Sequence, residues 1–431
     1  KKIILFLATV FLCQAKGQIP VSQRLSDSIN TKNHEYWPSI TANDSILIFN
    51  RLINKDGYKN EDFYYSTKDS AGNWTEAKPL VALNTYENEG AQTISADGQF
   101  MIFTSCNHPQ SVGSCDLFYS FKHNGEWTPA RNLGETLNTR YWETQPSLSA
   151  DGTELYFVSN RPGGKGGMDI WHCKLLGFNE TGGMQWSEPE NLNINTPKNE
   201  MSPFIHSDNE TLYFSSDGYT KKVGLDVFVA RKTGATFSTP TNIGSPVNTD
   251  ADEMGFIVNA AGTTAYFSSD QNANNRDIYS FPLPAKFRPK KVQILQGKVL
   301  NSKDKSPVFA TLSLYAQNDR TATYNTITVL ENGQYLLCLR KGKLWHLSVQ
   351  ADGYLFHSER IDLQEEAPDM QQKNIELTPI EKNATLTLRN IFFDTDKATL
   401  KEESKAELQN VKQLLEQNPT LRIELSGHTD N

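Results

Sequence analysis

The chain has 431 residues, a length that at about 100–200 residues per domain suits two to four domains. Hydrophobic residues make up 37% of it, yet 22 Phe, 16 Tyr and 7 Trp exclude a disordered chain and favour short, half-buried strands joined by turns. With 42 basic against 50 acidic residues the net charge is −8, which argues against a general nucleic-acid binder, since that would want a basic field.

Lys1 and Lys2 precede an apolar run, Ile3 to Leu12, and Ala15-Lys16-Gly17 follows. A charged start, an apolar middle and a small-residue cleavage site form an export signal, so residues 1–17 are expected to be removed. Cys13 raises the question of lipidation, although Val10, Phe11 and Leu12 before it are bulkier than a lipidation site wants; the sequence leaves this open. No later run approaches the ~20 apolar residues of a membrane-spanning helix.

Cysteine use agrees with export. Cys106 and Cys115 bracket the short loop 107–114, and a disulfide there suits an oxidising compartment. Cys106, His108, Cys115 and Asp116 also read as metal ligands, but no second pair of ligands accompanies them, so no metal is expected. Cys173 and Cys338 sit in apolar strand patterns and read as buried free thiols.

A repeat fills the first two thirds. Asn30, Asn84, Asn138, Asn195 and Asn248, each followed by Thr, recur at steps of 54, 54, 57 and 53 residues. Five residues after each Asn stands Glu35, Glu89, Glu143, Glu200 or Glu253. A Ser/Thr-rich strand, a turn and an aromatic strand come next, then a third strand opened by Asp62, Asp116, Asp169, Asp226 or Asp277. An aromatic and a Pro close the first four units, as in Trp127 and Pro129. One four-stranded sheet per unit is the signature of a propeller blade. The fifth unit lacks its closing strand, and Pro20 to Thr31 reads like Pro129 to Thr139. The N-terminal strand is therefore expected to complete the last blade, hiding the sheet edges that an open stack would expose. Five blades are expected, with six, one of them degenerate, as the alternative. Acids present in every unit read as hydrogen-bonding groups of the turns; a glycosidase would need one special pair. Neither an enzyme nor a cofactor is expected.

The string Pro146-Ser147-x-Ser149-x-Asp151-Gly152-x-x-Leu155-Tyr156-Phe157-x-Ser159-x-Arg161 resembles the WD-like propeller repeat of the TolB type, a resemblance that covers residues 18–284 and implies a binding scaffold. A Pro/Lys linker follows at 285–291. Residues 292–378 then alternate, with Pro307 before Ala310, Leu312 and Leu314, Asn332-Gly333 before Tyr335, and Ala351-Asp352-Gly353-Tyr354. This resembles the carboxypeptidase regulatory-like, transthyretin-type β-sandwich, a spacer or adhesion module.

In the last part, 379–431, Ala384 to Asp394 reads as a strand, Lys397 to Asn418 as an amphipathic helix stopped by Pro419, and Leu421 onward as a strand entering a turn. Ile391-Phe392-Phe393-Asp394-x-Asp396-x-Ala398-x-Leu400 and Leu425-x-Gly427-His428-Thr429-Asp430-Asn431 resemble the OmpA C-terminal domain, which binds peptidoglycan non-covalently. The resemblance implies that Asp430, in a turn with Gly427, Thr429 and Asn431, holds the amino group of diaminopimelate in the stem peptide. It also implies an Arg about one helix later, past Asn431, for the carboxylate. A zwitterionic ligand end suits one carboxylate and one bidentate guanidinium. Without the resemblance, Asp430 reads as a turn-capping Asp, and His428 as a prop of the turn.

The fold class expected is thus mainly β and multidomain, a propeller, a sandwich and an incomplete α/β OmpA-like domain. This order is similar to peptidoglycan-anchoring outer-membrane-associated proteins of Bacteroidetes, some tied to type IX secretion. It implies an exported, periplasmic, outer-membrane-associated chain with peptidoglycan and an envelope protein as partners, and no nucleic acid. The alternative is a carbohydrate-binding or glycan- or peptide-processing propeller tethered to the wall.

Overall fold

The computed structural model describes residues 21–426 apart from 56, 180–182, 221–223, 271–274, 317–318, 328–331, 395–396 and 403. The proposed signal, Cys13, and Gly427, Thr429, Asp430 and Asn431 lie outside the described residues. The described chain is mainly β, with one α-helix.

Five antiparallel sheets come first. Their innermost strands are His34–Ile40, Asn88–Ile94, Glu143–Leu148, Glu200–Ile205 and Met254–Val258. Each is followed by a second and a third strand, as in Glu154–Ser159 and Asp169–Phe178 of the third sheet. The fourth strands are two-residue pairings: Lys78–Pro79, Arg131–Asn132, Glu190–Asn191 and Thr241–Asn242. In the fifth sheet that place is taken by Gln23–Arg24, which pairs with Ser280 and Tyr279. Each innermost strand lies beside the next, and the fifth beside the first, so the sheets make a closed ring.

The innermost strands run five to seven residues, the ordinary length in globular proteins. Both faces are apolar, and the core is divided among the five seams. Between the first two sheets lie Ile48, Phe63, Phe103 and Phe118; between the fifth and first, Phe49, Tyr266 and Ile278. Among the described residues eleven Phe and Tyr rings are under 2% exposed in this ring, Phe157 and Phe214 among them. Each such burial contributes about 1.5–3 kcal/mol.

The sandwich packs Val292–Asn301 between Gln334–Arg340 and the short Met370–Gln372 and Ile375–Leu377, facing a second sheet that includes Thr311–Ala316, Lys343–Gln350 and His357–Leu363. Its core holds Trp345, Leu312, Leu347 and Val349. One outer face covers an end of the ring. Val292, Ile294, Leu336 and Cys338 meet Ala42, Ala96 and Ala260, which sit in the turns between first and second strands. The junction is tied by Tyr213, whose hydroxyl donates to Phe287 O at 2.7 Å, by Lys290 N donating to Asp208 at 2.9 Å, and by Arg340 and Lys290 paired with Glu210.

The helix Ser404–Gln417 packs Leu414 and Val411 against Leu355 and Phe356 of the sandwich. It is shorter than the expected 397–418. The stretch 384–390 alternates in burial as a strand would, with Ala384, Leu386, Leu388 and Asn390 turned inward. It nevertheless forms no ladder, and neither does 421–426, so the expected strands on either side of the helix are not formed. A strand is defined by hydrogen bonds to a neighbour, and the one bridge that the expected strands make among the described residues is Phe393 with Leu400.

Candidate functional site

The repeated polar residues build a frame at one end of the ring. Each Glu at the head of an innermost strand is 0–1% exposed. Glu35, Glu143, Glu200 and Glu253 accept from both the backbone N–H and the hydroxyl of Thr31, Thr139, Thr196 and Thr249, and Glu89 does the same with Thr85. The Asn before each Thr bonds twice to the third strand of the sheet it leaves. Asn138 accepts from Leu117 N and donates to Leu117 O, and Asn30 does likewise with Ile278, fastening the ring's closing seam. Asp116 and Asp169 each gather two backbone N–H groups of the preceding loop and the amide of Asn132 or Asn191. These acids are consumed by bonds within the frame, which matches their reading as turn groups.

Burial raises Glu35, Glu200 and Glu253, against the bonds from their threonines; Glu253, with Asp226 and Asp252 nearby, is pushed up to about 7.

The ring axis is lined by a feature that the repeat did not disclose. Every innermost strand slips register two residues after its Glu, and the slipping residue has positive φ: Trp37 (47°), Ala91 (45°), Gln145 (51°), Ser202 (49°) and Gly255 (63°). A bulge turns the strand and re-aims its side chains. The left-handed conformation costs of order 1 kcal/mol or more in a residue other than Gly or Asn, and only Gly255 declares it in the sequence. The axial cavity that these residues enclose measures about 40 Å³. That is room for a few waters, far below the roughly 300 Å³ of a small-molecule site. Gln92 donates to Trp37 O and Ile48 O, and its Oε1 and Trp37 Nε1 are buried without a protein partner.

Hydroxyls lace the sheets together beside this axis. Ser39 accepts from Ile94 N, Thr93 from Leu148 N and Ser147 from Ile205 N. All three stand four residues after their Glu, a signal that the sequence does contain. In the fourth and fifth sheets that place holds Phe204 and Ile257 instead, and Phe204 packs on Tyr213.

The uncovered end of the ring carries the loops between second and third strands and those leading into the innermost strands. Tyr58, Tyr86, Trp142 and Tyr219 stand exposed there. Cys106 and Cys115 are joined by a disulfide and pair in register across the second sheet. Neither is therefore a thiolate ligand, and His108 packs its ring on Phe118 at 4.5 Å. Gly113 in this loop lies so close to Thr139 O and Tyr141 O that a Cβ would meet both at 2.5 Å. Only Gly lets the loop rest on the next sheet. Cys173 is buried and free, Cys338 half-buried and free. Among the described residues no group of three or more His, Cys, Asp or Glu is placed to hold a metal, and no helix is long and apolar enough to cross a membrane.

No family model and no curated protein matches the chain. Solved structures similar to it include TolB from Agrobacterium tumefaciens, at 13% identity over 55% of this chain and 70% of that one, TM-score 0.35. TolB from Acinetobacter baumannii has 13% identity over 59% and 56%, TM-score 0.35, so this chain spans little more than half its length. A periplasmic gluconolactonase of Pseudomonas aeruginosa has 9% identity over 77% and 86%, TM-score 0.36. A likeness of this degree assigns no activity.

Proposed function

We propose that this is a non-enzymatic protein of the cell envelope. Its OmpA-like part, 379–431, holds the diaminopimelate stem peptide of peptidoglycan through Asp430 in the turn with Gly427, Thr429 and Asn431. Its five-bladed propeller, 18–284, presents the uncovered loop face to an envelope protein, in an assembly related to type IX secretion. The sandwich, 292–378, joined through the linker 285–291, is the spacer, and residues 1–17 are the export signal. The chain works in the periplasm, associated with the outer membrane.

The observation that carries this reading is the pair of strings at 391–400 and 425–431, with the helix Ser404–Gln417 between them. The absence of catalysis is supported by the ring itself. The acids that face its mouth already serve as hydrogen-bond acceptors, and the axis is too narrow for a substrate. Exposed Tyr86 and Trp142 suit a protein surface, where amphipathic rings carry much of the binding energy.

The decisive experiment sediments the full-length protein with purified peptidoglycan sacculi. The parent is expected in the pellet, and Asp430→Ala in the supernatant. A parent that stays in solution, or a variant that pellets equally well, ends the assignment.

A further inference from the structure

The face of the sandwich that covers the ring changes chemistry along its length. Val292, Ile294, Gln296 and Lys298 alternate onto this face of one strand. The first two are buried at 3% and 6% beneath the ring's alanines. Beyond them a cleft of about 450 Å³ opens between the sheet and the ring. That volume lies within the roughly 300–1,000 Å³ of ligand sites, which favour domain interfaces.

Amides line it. Gln296, Gln334 and Gln372 rise from three adjacent strands, Gln296 standing opposite Gln372 in register and Gln334 opposite Lys298. Asn374 adjoins them, and Asn43 and Gln99 face them from turns of the first two sheets of the ring. Asp97, the carboxylate of the cleft, is already occupied by Ser95 Oγ at 2.6 Å and Gln99 N at 3.0 Å. Some amide atoms are engaged too: Gln296 Nε2 meets Met370 Sδ, Gln334 Oε1 accepts from Asn332, and Asn374 Oδ1 accepts from Lys298 N. Gln296 Oε1, Gln334 Nε2, Asn374 Nδ2 and the amide of Gln372 bond to no described protein group.

We propose that this cleft binds a neutral oligosaccharide. An uncharged amide carries donors and acceptors together, which suits a row of hydroxyls that each donate and accept. A peptide finds less here. Leu336 is the one apolar side chain that the floor offers to a peptide's side chains. This site shares no residue with the proposed wall-binding turn and stands or falls separately.

Saturation-transfer NMR on the full chain tests it, with chitotetraose and maltotetraose as probes and acetyl-Ser-Asn-Gly-Ser-amide as a peptide control. Transfer is expected to at least one sugar and not to the peptide. It should fall at least fivefold in Gln296→Ala/Gln372→Ala and more modestly in Asn43→Ala on the opposite wall. No transfer to either sugar, or transfer to the peptide alone, overturns the proposal. So does undiminished transfer in variants that unfold at the parent temperature. If the double variant does not fold, undiminished transfer in Asn43→Ala is sufficient to overturn it.

Discussion

Glu143 and Glu253 hold the same place in the third and fifth sheets and have different surroundings. Glu143 accepts from Thr139 twice, from Ser159 Oγ at 2.8 Å, and pairs with Arg161 at 3.1 Å. Glu253 has its threonine, while Ser269, in the place of Ser159, keeps its hydroxyl buried without a partner, and Asp226 and Asp252 lie close. The same motif thus has four polar contacts in one sheet and, in the other, a carboxyl that burial and two nearby aspartates push up to about 7. The repeat fixes the acid; the neighbours that happen to face it fix its contacts. The fifth sheet is also where the two ends of the ring meet, so its stability decides whether the ring stays closed.

The sharpest way to break this contrast is to remove a partner from the satisfied site. Arg161→Ala strands Glu143 in a buried place and is expected to lose about 3–5 kcal/mol in urea unfolding. Ser269→Ala, which removes an unpaired hydroxyl, should cost almost nothing. Equal losses would mean that the two sites are energetically alike.

Opening the Cys106–Cys115 bond by changing both to Ser frees a loop with a sequence separation of 9. Chain-entropy reasoning gives a loss of about 2.5 kcal/mol, seen as a lower unfolding midpoint that reductant no longer shifts. A midpoint unmoved in the double variant would show the loop to be held by Asp116 and Gly113 alone.

The pH dependence sharpens the comparison further. An unfolded Glu titrates at about 4.3. Glu253 is raised to about 7, so between these values the folded chain keeps a proton that the unfolded chain has released. Its contribution is therefore greatest below about pH 4.3 and is lost as pH rises through 7, a decline of about 1–3 kcal/mol. Glu35 and Glu200, also raised, act in the same direction. Glu154 does the opposite. Burial opposes its charge, but His172 and Lys232, the latter at 2.7 Å, pull it down to about 2. Its contribution is full above about pH 4.3 and lost as pH falls toward 2. Glu253→Gln should flatten the decline toward neutral pH and leave the acid limb alone. A decline that persists in this variant would clear Glu253 of responsibility.

The smallest expected effect concerns the seams. Ser147→Ala leaves Ile205 N without its acceptor and should cost about 1–2 kcal/mol. Ile257→Ser, which places a hydroxyl where the fifth sheet has none, should not stabilise the ring. A gain in the second would show that the apolar seams had merely lost their lace.

Much of the architecture was legible. The Asn, Glu and Asp of each unit recur because every sheet must fasten to the next in the same way, and a repeated geometric need leaves a repeated residue. Cys106 and Cys115 were legible as a pair because they bracket a single hairpin loop. The bulges at Trp37, Ala91, Gln145 and Ser202 were not, since four different side chains occupy one backbone conformation. The strand expected over 384–394 and the described part, 421–426, of the one expected from Leu421 to Asn431 form no ladder, because alternation specifies an extended, one-sided segment and says nothing of a partner.

The sequence by itself determined the period, the strand content and the polar frame of the ring, because these follow from local pattern and from contacts between identical units. Only the tertiary structure decided the surroundings of each glutamate, how narrow the axis is, and that the sandwich covers one end of the ring and opens an amide cleft beside it. Those depend on which groups from distant parts of the chain face one another across a seam. A buried charge, a cavity and an interface all respond to that distance and desolvation, and neither quantity is written in the order of residues.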